Sequence, residues 1–475
     1  MTGLKQSAAY LVLFSSYLLL SCSVQQQLSR SAKETVLQQP AFKAAHAGIS
    51  IYEPATGKYW FNYQGDKYFV PASNTKIPTC YAAMKYLGDS LVGAQIVRYN
   101  GDIIVYPSAD PTFLNIEFKY QPLFKFLNEN SGSIVIKYKS WQDNRLGNGW
   151  SWNDFQETYM AERSAMPIYK NLVTFNNVDS SGFSVFGTPD SLRVNSSPKF
   201  FSNNQFWNKR RFKLDELYKL GTPEHLNKKI EEKKGIGFKV YRELGNNIFS
   251  LMPTFDLETK QLLPFITSAD ISNKLLEDTL HKKVINENVY FGGYEMQGFD
   301  RISIHSQPTD SLLKPMMHRS DNFFAEQSLL MVSNELLGVM NDEKIIDTLL
   351  KTDFKDLPQK PRWADGSGLS RYNLFTPQDL VAILNKMKNE FGMERIKIIF
   401  PTGGEGTISS YYKQDAGFIY GKTGTLSGVV AFSGFLYTKK GKLLIFSTLI
   451  NNHQGSATDI RRAIEKFLTG VRNTY

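Results

Sequence analysis

Val70-Pro71-Ala72-Ser73-Asn74-Thr75-Lys76-Ile77-Pro78-Thr79 sets a serine three residues before a lysine, where a largely apolar segment begins (Tyr81, Ala82, Ala83, Met84, Tyr86, Leu87). A helical segment here places Ser73 and Lys76 one turn apart on the same face. The helix N-terminus adds partial positive charge and free N–H groups beside the hydroxyl. Such a pair suits a nucleophile: Lys76, desolvated to a neutral amine, can accept the Ser73 proton. The spacing alone is weak, because Ser-x-x-Lys also occurs at Ser196/Lys199, Ser311/Lys314 and Ser410/Lys413. The plain alternative is an N-capping serine with a solvated lysine.

Two later stretches add weight. Ser320-Asp321-Asn322 follows an apolar run (Leu312, Leu313, Met316, Met317), and Lys422-Thr423-Gly424-Thr425 ends a β-rich segment. Taken singly they read as a helix cap and a strand-end turn. Taken in order after Ser73/Lys76 they form the signature set of serine penicillin-recognising enzymes. Other chemistries lack support. The histidines (His46, His225, His281, His305, His318, His453) show no His-x-x-x-His spacing, so no metal site is expected. No Gly-x-Ser-x-Gly elbow or phosphate-binding loop is present, and no cofactor is implied.

Composition sets the frame. The 475 residues are 42% hydrophobic and 21% charged, enough for a sizeable core. The net charge of +10 favours an anionic partner such as a cell-wall polymer or a membrane surface. The basic residues are spread out apart from short clusters such as Lys209-Arg210-Arg211, and no nucleic-acid motif accompanies them, so no nucleic-acid partner is expected.

Residues 1–21 read as a signal peptide, with Lys5 in the charged region and an apolar stretch from Ala8 to Leu20. Leu19-Leu20-Ser21-Cys22 is similar to a bacterial lipobox, in which Cys22 is lipidated; the alternative is an ordinary cleaved signal. Residues 22–40 read as a flexible tether. The two cysteines, Cys22 and Cys80, support no disulfide framework, and Cys80 is expected to be buried as a small apolar residue.

A hairpin is expected over 48–63, with strands Gly48–Tyr52 and Tyr59–Tyr63 about a Pro54-Ala55-Thr56-Gly57 turn. Roughly 250 residues separate the first two motifs, a domain-sized gap. It holds strand and turn signals of its own, such as Asp102–Tyr106 and Ala109–Thr112. Residues 96–297 are therefore read as one or two inserted domains, with Lys209–Lys234, the most polar part, as a surface excursion, and 41–95 with 298–475 as the catalytic domain. Ser311–Leu337 reads as helical with a break at Ser320-Asp321-Asn322. Three strands follow near the C-terminus (417–421, Val429–Tyr437, Leu443–Ile450), then an amphipathic helix over Ala457–Val471. These elements fit a mixed α/β (α+β) fold, a mostly antiparallel sheet covered by helices.

From about residue 46 onward the chain resembles the class C low-molecular-mass penicillin-binding proteins, the D-alanyl-D-alanine carboxypeptidase/endopeptidase family. Besides the three motifs, Ala109-Asp110-Pro111-Thr112-Phe113, Trp150-Ser151-Trp152-Asn153-Asp154, Asp365-Gly366-Ser367-Gly368-Leu369-Ser370-Arg371 and Gly404-Glu405-Gly406-Thr407 resemble segments of that family. The resemblance implies a β-lactamase/transpeptidase-like domain with a five-stranded antiparallel sheet flanked by helices and split by inserted domains. It implies Ser73 as the acylated nucleophile, Lys76 as its base, Ser320 relaying a proton, Asn322 binding the substrate amide and Lys422 supporting the relay. It implies Thr423 and Thr425 on the terminal carboxylate, and an oxyanion hole from the N–H groups of Ser73 and Thr425. Gly424 leaves room for substrate to approach the strand. Strand alternation sends Lys422 and Gly424 one way and Thr423 and Thr425 the other, so the threonine roles rest on the resemblance alone.

The expected activity is a serine D-Ala-D-Ala carboxypeptidase or DD-endopeptidase acting on peptidoglycan stem peptides through an acyl-enzyme and inhibited by β-lactams. The expected location is the periplasm of a Gram-negative bacterium, with a lipid anchor in a membrane. The alternatives are a β-lactamase or esterase on the same fold, for which no dedicated deacylation base is found, and a catalytically silent cell-wall scaffold.

Overall fold

The computed structural model describes residues 25–178, 193–202, 237–254, 260–286, 290 and 299–475. The signal segment, Cys22 and Lys209–Lys234 lie outside them.

Residues 25–32 form helix α1, which widens to a π turn over Lys33–Leu37. The expected tether is therefore corrected in its described part. Leu28, Ala32 and Val36 recur every fourth residue, and all three are buried in a core beneath the C-terminal helix. The Gln- and Ser-rich composition concealed this narrow apolar stripe. The hairpin follows as β1 (His46–Glu53) and β2 (Lys58–Tyr63), and the first motif spans the turn that leads into α2 (Lys76–Tyr86).

The long middle stretch runs through β3 (Ser90–Tyr99), β4 (Asp102–Pro107), α3 (Pro122–Glu129), β5 (Ile134–Ile136), β6 (Leu172–Val178) and β7 (Arg193–Ser197). It continues with β8 (Gly237–Arg242), β9 (Phe249–Thr254), β10 (Lys260–Pro264), α4 (Ala269–Leu280), β11 (Val284–Asn286) and β12 (Ile302–Pro308). These strands pair among themselves, in orders β11-β5-β4-β3-β12, β10-β6-β7 and β8-β9. They enclose an apolar core of their own, from Ala94 and Ile96 to Phe249 and Leu276. Residues 95 and 96, the expected border, sit inside β3, and β12 pairs with β3 (Ile302 opposite Ile96) although it follows residue 298.

After α5 (Thr309–His318), α6 (Asn322–Leu337), α7 (Asp342–Lys351) and α8 (Pro377–Ile399) come β13 (Ile419–Leu426), β14 (Val429–Tyr437), β15 (Leu443–Asn451) and α9 (Ala457–Thr474). Chain ends meet in one five-stranded sheet, β13-β14-β15-β1-β2, antiparallel at every pair. Period-two alternation explains its two faces. Val430, Phe432, Leu436, Leu444, Phe446 and Ile450 join the core under α9, whereas Ala431, Phe435, Ile445 and Leu449 join the core beneath α2, α5, α6 and α8. On α9, Ile460, Ile464, Phe467, Leu468 and Val471 share the buried face, and Ser456 caps the helix by accepting from the Asp459 N–H. At roughly 1.5–3 kcal/mol for each large side chain fully buried, that stripe rather than helix propensity holds α9 in place.

Candidate active site

The first motif lies where the chain enters α2. Ala72–Thr75 make a tight turn, and α2 begins at Lys76. Ala72 is held at φ 47°, and Gly368, at φ +82°, packs on its carbonyl: a Cβ on Gly368 would lie 1.9 Å from the Ala72 oxygen. Only glycine tolerates both that conformation and that approach. The Ser73 side chain caps neither the turn nor the helix. Its Oγ faces Lys76 Nζ at 3.0 Å instead. The N-capping alternative therefore does not describe Ser73.

Lys76 is fully buried and donates further to Asn322 Oδ1 (2.6 Å) and to the Ser367 carbonyl (2.7 Å). The Asn322 amide is oriented by its nitrogen, which donates to the Tyr159 carbonyl at 3.1 Å. Across the cleft, Lys422 Nζ donates to Ser320 Oγ (2.9 Å) and the Thr423 carbonyl (2.6 Å). Asn74 Nδ2 donates to the Lys422 carbonyl at 2.8 Å, tying β13 to the turn that carries Ser73. Gly424 lies so close that a Cβ there would meet the Pro71 oxygen at 2.6 Å and the Ser73 nitrogen at 3.1 Å. The structure thus gathers Ser73, Lys76, Ser320, Asn322, Lys422 and Gly424 around one cleft.

The second motif divides its labour. Asp321 is the helix cap, its Oδ1 accepting from the Phe324 N–H at 3.1 Å. Ser320 sits outside the helix at φ 61°, a left-handed conformation that costs a non-glycine residue about 1–3 kcal/mol and turns its hydroxyl towards Lys422. Thr423 and Thr425 project to the opposite face from Lys422, as alternation requires. Thr423 Oγ1 donates to Thr407 Oγ1 (2.7 Å), and Thr425 Oγ1 accepts from Arg461 Nη2 (2.8 Å).

Burial governs the electrostatics. It pulls Lys76 down to about 8, against the raising influence of Asp365, Glu326 and Asp321. It pulls Lys422 well below the ordinary lysine range, and the nearby Lys76 adds to the effect. Both amines bond to hydroxyls and carbonyls rather than to carboxylates.

Several residues around the site escaped sequence reasoning. The Asp365–Ser370 stretch has the look of a structural turn bordering the site, and sequence reasoning assigns no role to its residues; its Ser367 carbonyl is a direct partner of Lys76. Asp365 shapes that turn by accepting from the N–H groups of Gly368 and Ser370, both at 2.7 Å. Glu326 supports it from behind, accepting the Ser367 N–H at 2.7 Å; burial, then the like charge of Asp365, pushes Glu326 up to about 8. The Asp-Gly-Ser-Gly pattern was the available signal, since closely spaced glycines mark a backbone that must pass close to something. The other Ser-x-x-Lys pairs lead nowhere: Ser196 Oγ donates to the Pro198 carbonyl, and Ser311, Lys314, Ser410 and Lys413 are exposed. Among the described residues no cluster of potential metal ligands occurs, and no helix is long and apolar enough to cross a membrane.

Comparison with known proteins bears on this arrangement. The family described as D-Ala-D-Ala carboxypeptidase 3 (S13) matches residues 29–209 and 250–471. A D-alanyl-D-alanine carboxypeptidase of Actinomadura sp. (strain R39) is 24% identical over 469 aligned residues, covering 89% of this chain and 81% of that one. The D-alanyl-D-alanine carboxypeptidase DacB of Haemophilus influenzae is 23% identical, covering 87% of each. The crystal structure of penicillin-binding protein 4 from Haemophilus influenzae superposes with a TM-score of 0.68 at 19% identity, over 94% of this chain and 98% of that one, which establishes the shared fold.

Proposed function

The chain belongs to the D-Ala-D-Ala carboxypeptidase 3 (S13) family, and from that premise we propose that Ser73 is its nucleophile, activated by Lys76. The protein is a serine-type D-Ala-D-Ala carboxypeptidase acting on peptidoglycan peptides. One observation carries the assignment of residues: Lys76 Nζ has three partners, of which only Ser73 Oγ can give it a proton. A neutral amine has two N–H bonds and one lone pair. The Asn322 Oδ1 and the Ser367 carbonyl take the two N–H bonds, which leaves the lone pair for the Ser73 hydroxyl.

The reaction then runs as follows. Ser73 Oγ bonds to the carbonyl carbon of the penultimate D-alanine while its proton passes to Lys76. The oxyanion is held by the N–H groups of Ser73 and Thr425. β13 is the outer strand of its sheet, and the Gly421 N–H points off the free edge to the Pro401 carbonyl at 3.1 Å. The two-residue repeat directs the Thr425 N–H to the same edge. The C–N bond breaks as Ser320, beside Lys422, gives its hydroxyl proton to the leaving amine and regains the one that Lys76 took from Ser73, which returns Lys76 to the neutral amine. Asn322 retains one N–H for the substrate amide besides the one given to Tyr159. Thr423 and Thr425 are assigned to the terminal carboxylate: Thr423 donates to it once Thr407 becomes the donor of their shared bond, and the Thr425 oxygen already accepts from Arg461, so its O–H is free to donate. Water then cleaves the ester and restores Ser73. Endopeptidase cleavage differs only in what the leaving residue carries.

Incubation with benzylpenicillin should add one penicilloyl group, with peptide mapping placing it on Ser73, and a peptide ending in D-Ala-D-Ala should release D-alanine. A chain that gives neither is the silent scaffold instead.

The remaining assignments rest on the sequence and on strand pairing. The pairing of β3 with β12 supports an inserted unit running from β3 through β12. Leu19-Leu20-Ser21-Cys22 supports a lipid on Cys22 that holds the enzyme to a membrane in the periplasm of a Gram-negative bacterium. Cys22→Ala should then leave the membrane fraction, as soluble protein or as unprocessed precursor. Wild-type protein that is already soluble, with a different mature N-terminus, removes the anchor.

A further inference from the structure

The helix that brings Asn322 into the site is held by residues from the middle stretch of the chain. Asn322 Nδ2 donates to the Tyr159 carbonyl (3.1 Å), and Gln327 Nε2 donates to the carbonyls of Ala109 and Ser164 (both 2.9 Å). Glu326 faces Arg163 at 3.5 Å. A further contact comes from Lys170, whose Nζ donates to Asp321 Oδ2 at 2.6 Å, between Ser320 and Asn322, and lies 4.6 Å from the Phe324 ring centroid.

Lys170 reaches that position through an unusual backbone. Tyr169, Lys170 and Asn171 stand at φ 56°, 61° and 53°, three successive non-glycine residues in the left-handed region. Each costs energy that the surroundings must offset. Asn171 supplies much of the restraint. Fully enclosed, it donates to the Glu162 carbonyl (2.7 Å) and Ser164 Oγ (3.0 Å) and accepts from the Ile168 N–H (3.2 Å). Tyr169 is pinned at its hydroxyl by Thr279 Oγ1 (2.8 Å).

The charges around Lys170 alternate in sign. Glu117 accepts from Lys170 at 3.0 Å and from Arg319, and Arg319 lies 4.0 Å from Asp321. Arg319 and Asp321 are the two neighbours of Ser320, whose own φ is 61°. Asp321 is 9% exposed at its side chain, and it spends one oxygen on the α6 cap and the other on Lys170. A second left-handed turn, contributed by the insert, thus bears on the left-handed turn that carries Ser320.

We propose that Lys170 is a positioning residue: through Asp321 it holds Ser320 and Asn322 where they meet Lys422 and Lys76. This rests on the catalytic reading of those groups, and it gives the insert a part in the reaction. Lys170 touches no substrate. Its loss loosens Ser320, so the effect falls on the chemical step and leaves initial binding largely intact.

The test is the acylation of the full chain by benzylpenicillin, resolved into the rate at saturation and the concentration giving half of it. Lys170→Met should lower the saturating rate by about 10- to 100-fold, the scale expected of a misplacement near 1 Å. The half-saturating concentration should change less than about threefold. Lys170→Arg, which keeps the charge, should recover most of the rate. Asp321→Asn retains the oxygen that caps α6 and removes the charge pair from the other side, so it serves if Lys170→Met does not fold. The double variant should be no slower than the worse single one, because both remove one interaction. Wild-type acylation in Lys170→Met, or a lowered melting temperature with an unchanged rate, overturns the proposal. So do independent, multiplying losses in the double variant. If the wild-type chain forms no adduct, the catalytic reading has failed first, which separates the two outcomes.

Discussion

Ser73→Ala should form no penicilloyl adduct and release no D-alanine, a loss of at least about 10⁴-fold in rate, as expected when a nucleophile is removed from a site whose parts act as a unit. The reason is positional. Ser73 Oγ is the hydroxyl bonded to Lys76, at 3.0 Å, and its own N–H lies at the edge of β13 beside Gly424. Ser320, the other serine of the cleft, faces Lys422 from the opposite wall. The remaining Ser-x-x-Lys serines act as internal controls, since Ser196 bonds a carbonyl and Ser311 and Ser410 lie on the surface. The substitution removes one oxygen from a half-buried position, so the melting temperature should hold. Intact-mass spectrometry after exposure to benzylpenicillin reads the result. An adduct that persists in Ser73→Ala, or that maps to Ser196, Ser311 or Ser410, would falsify the assignment.

Lys76→Ala should reduce acylation by about 10²–10⁴-fold, the usual contribution of a positioned general base. Lys76→Arg should fare no better, because a guanidinium stays protonated and offers no lone pair. The wild-type pH profile follows from the same geometry. As the proposed base, Lys76 acts as the neutral amine, and burial has brought its pKa down to about 8. Acylation at low inhibitor concentration should therefore fall about tenfold for each pH unit below that value and level off above it. The sign is diagnostic: activity disappears as the amine gains its proton on the acid side. Stopped-flow acylation measured from about pH 6 to about pH 9 checks it. A flat profile over that interval, or one that falls as pH rises, removes Lys76 as the base.

Much of this was legible in the sequence because it is local or periodic. Ile49 and Ile51 alternate with Ser50, and the strands near 430 and 445 sort their side chains every second residue, so one sheet with two buried faces follows. Ile460 to Val471 repeat at helical spacing, so α9 follows. Three motifs in a fixed order are enough to name the family and the groups of its cleft. The apolar stripe of α1 was periodic as well, but polar neighbours hid it.

What the sequence left open depends on distance along the chain. Lys76 meets the Ser367 carbonyl 291 residues later, and Lys170 meets Asp321 151 residues later. No local pattern encodes either contact, because nothing in the sequence near one partner points to the other until packing brings the two together. Electrostatics behaves alike: the sequence could only suppose a desolvated Lys76, since burial is not written in any local pattern. The lowered basicity of Lys76 and Lys422 comes from burial, and burial belongs to the closed molecule. The sequence alone therefore determined the family, the kind of fold and the motifs whose residues are proposed to do the chemistry. Tertiary structure decided which oxygens bond to Lys76 and which residue of the middle stretch pairs with Asp321 beside Ser320, because desolvation and hydrogen-bond geometry exist only once remote segments have been packed against one another.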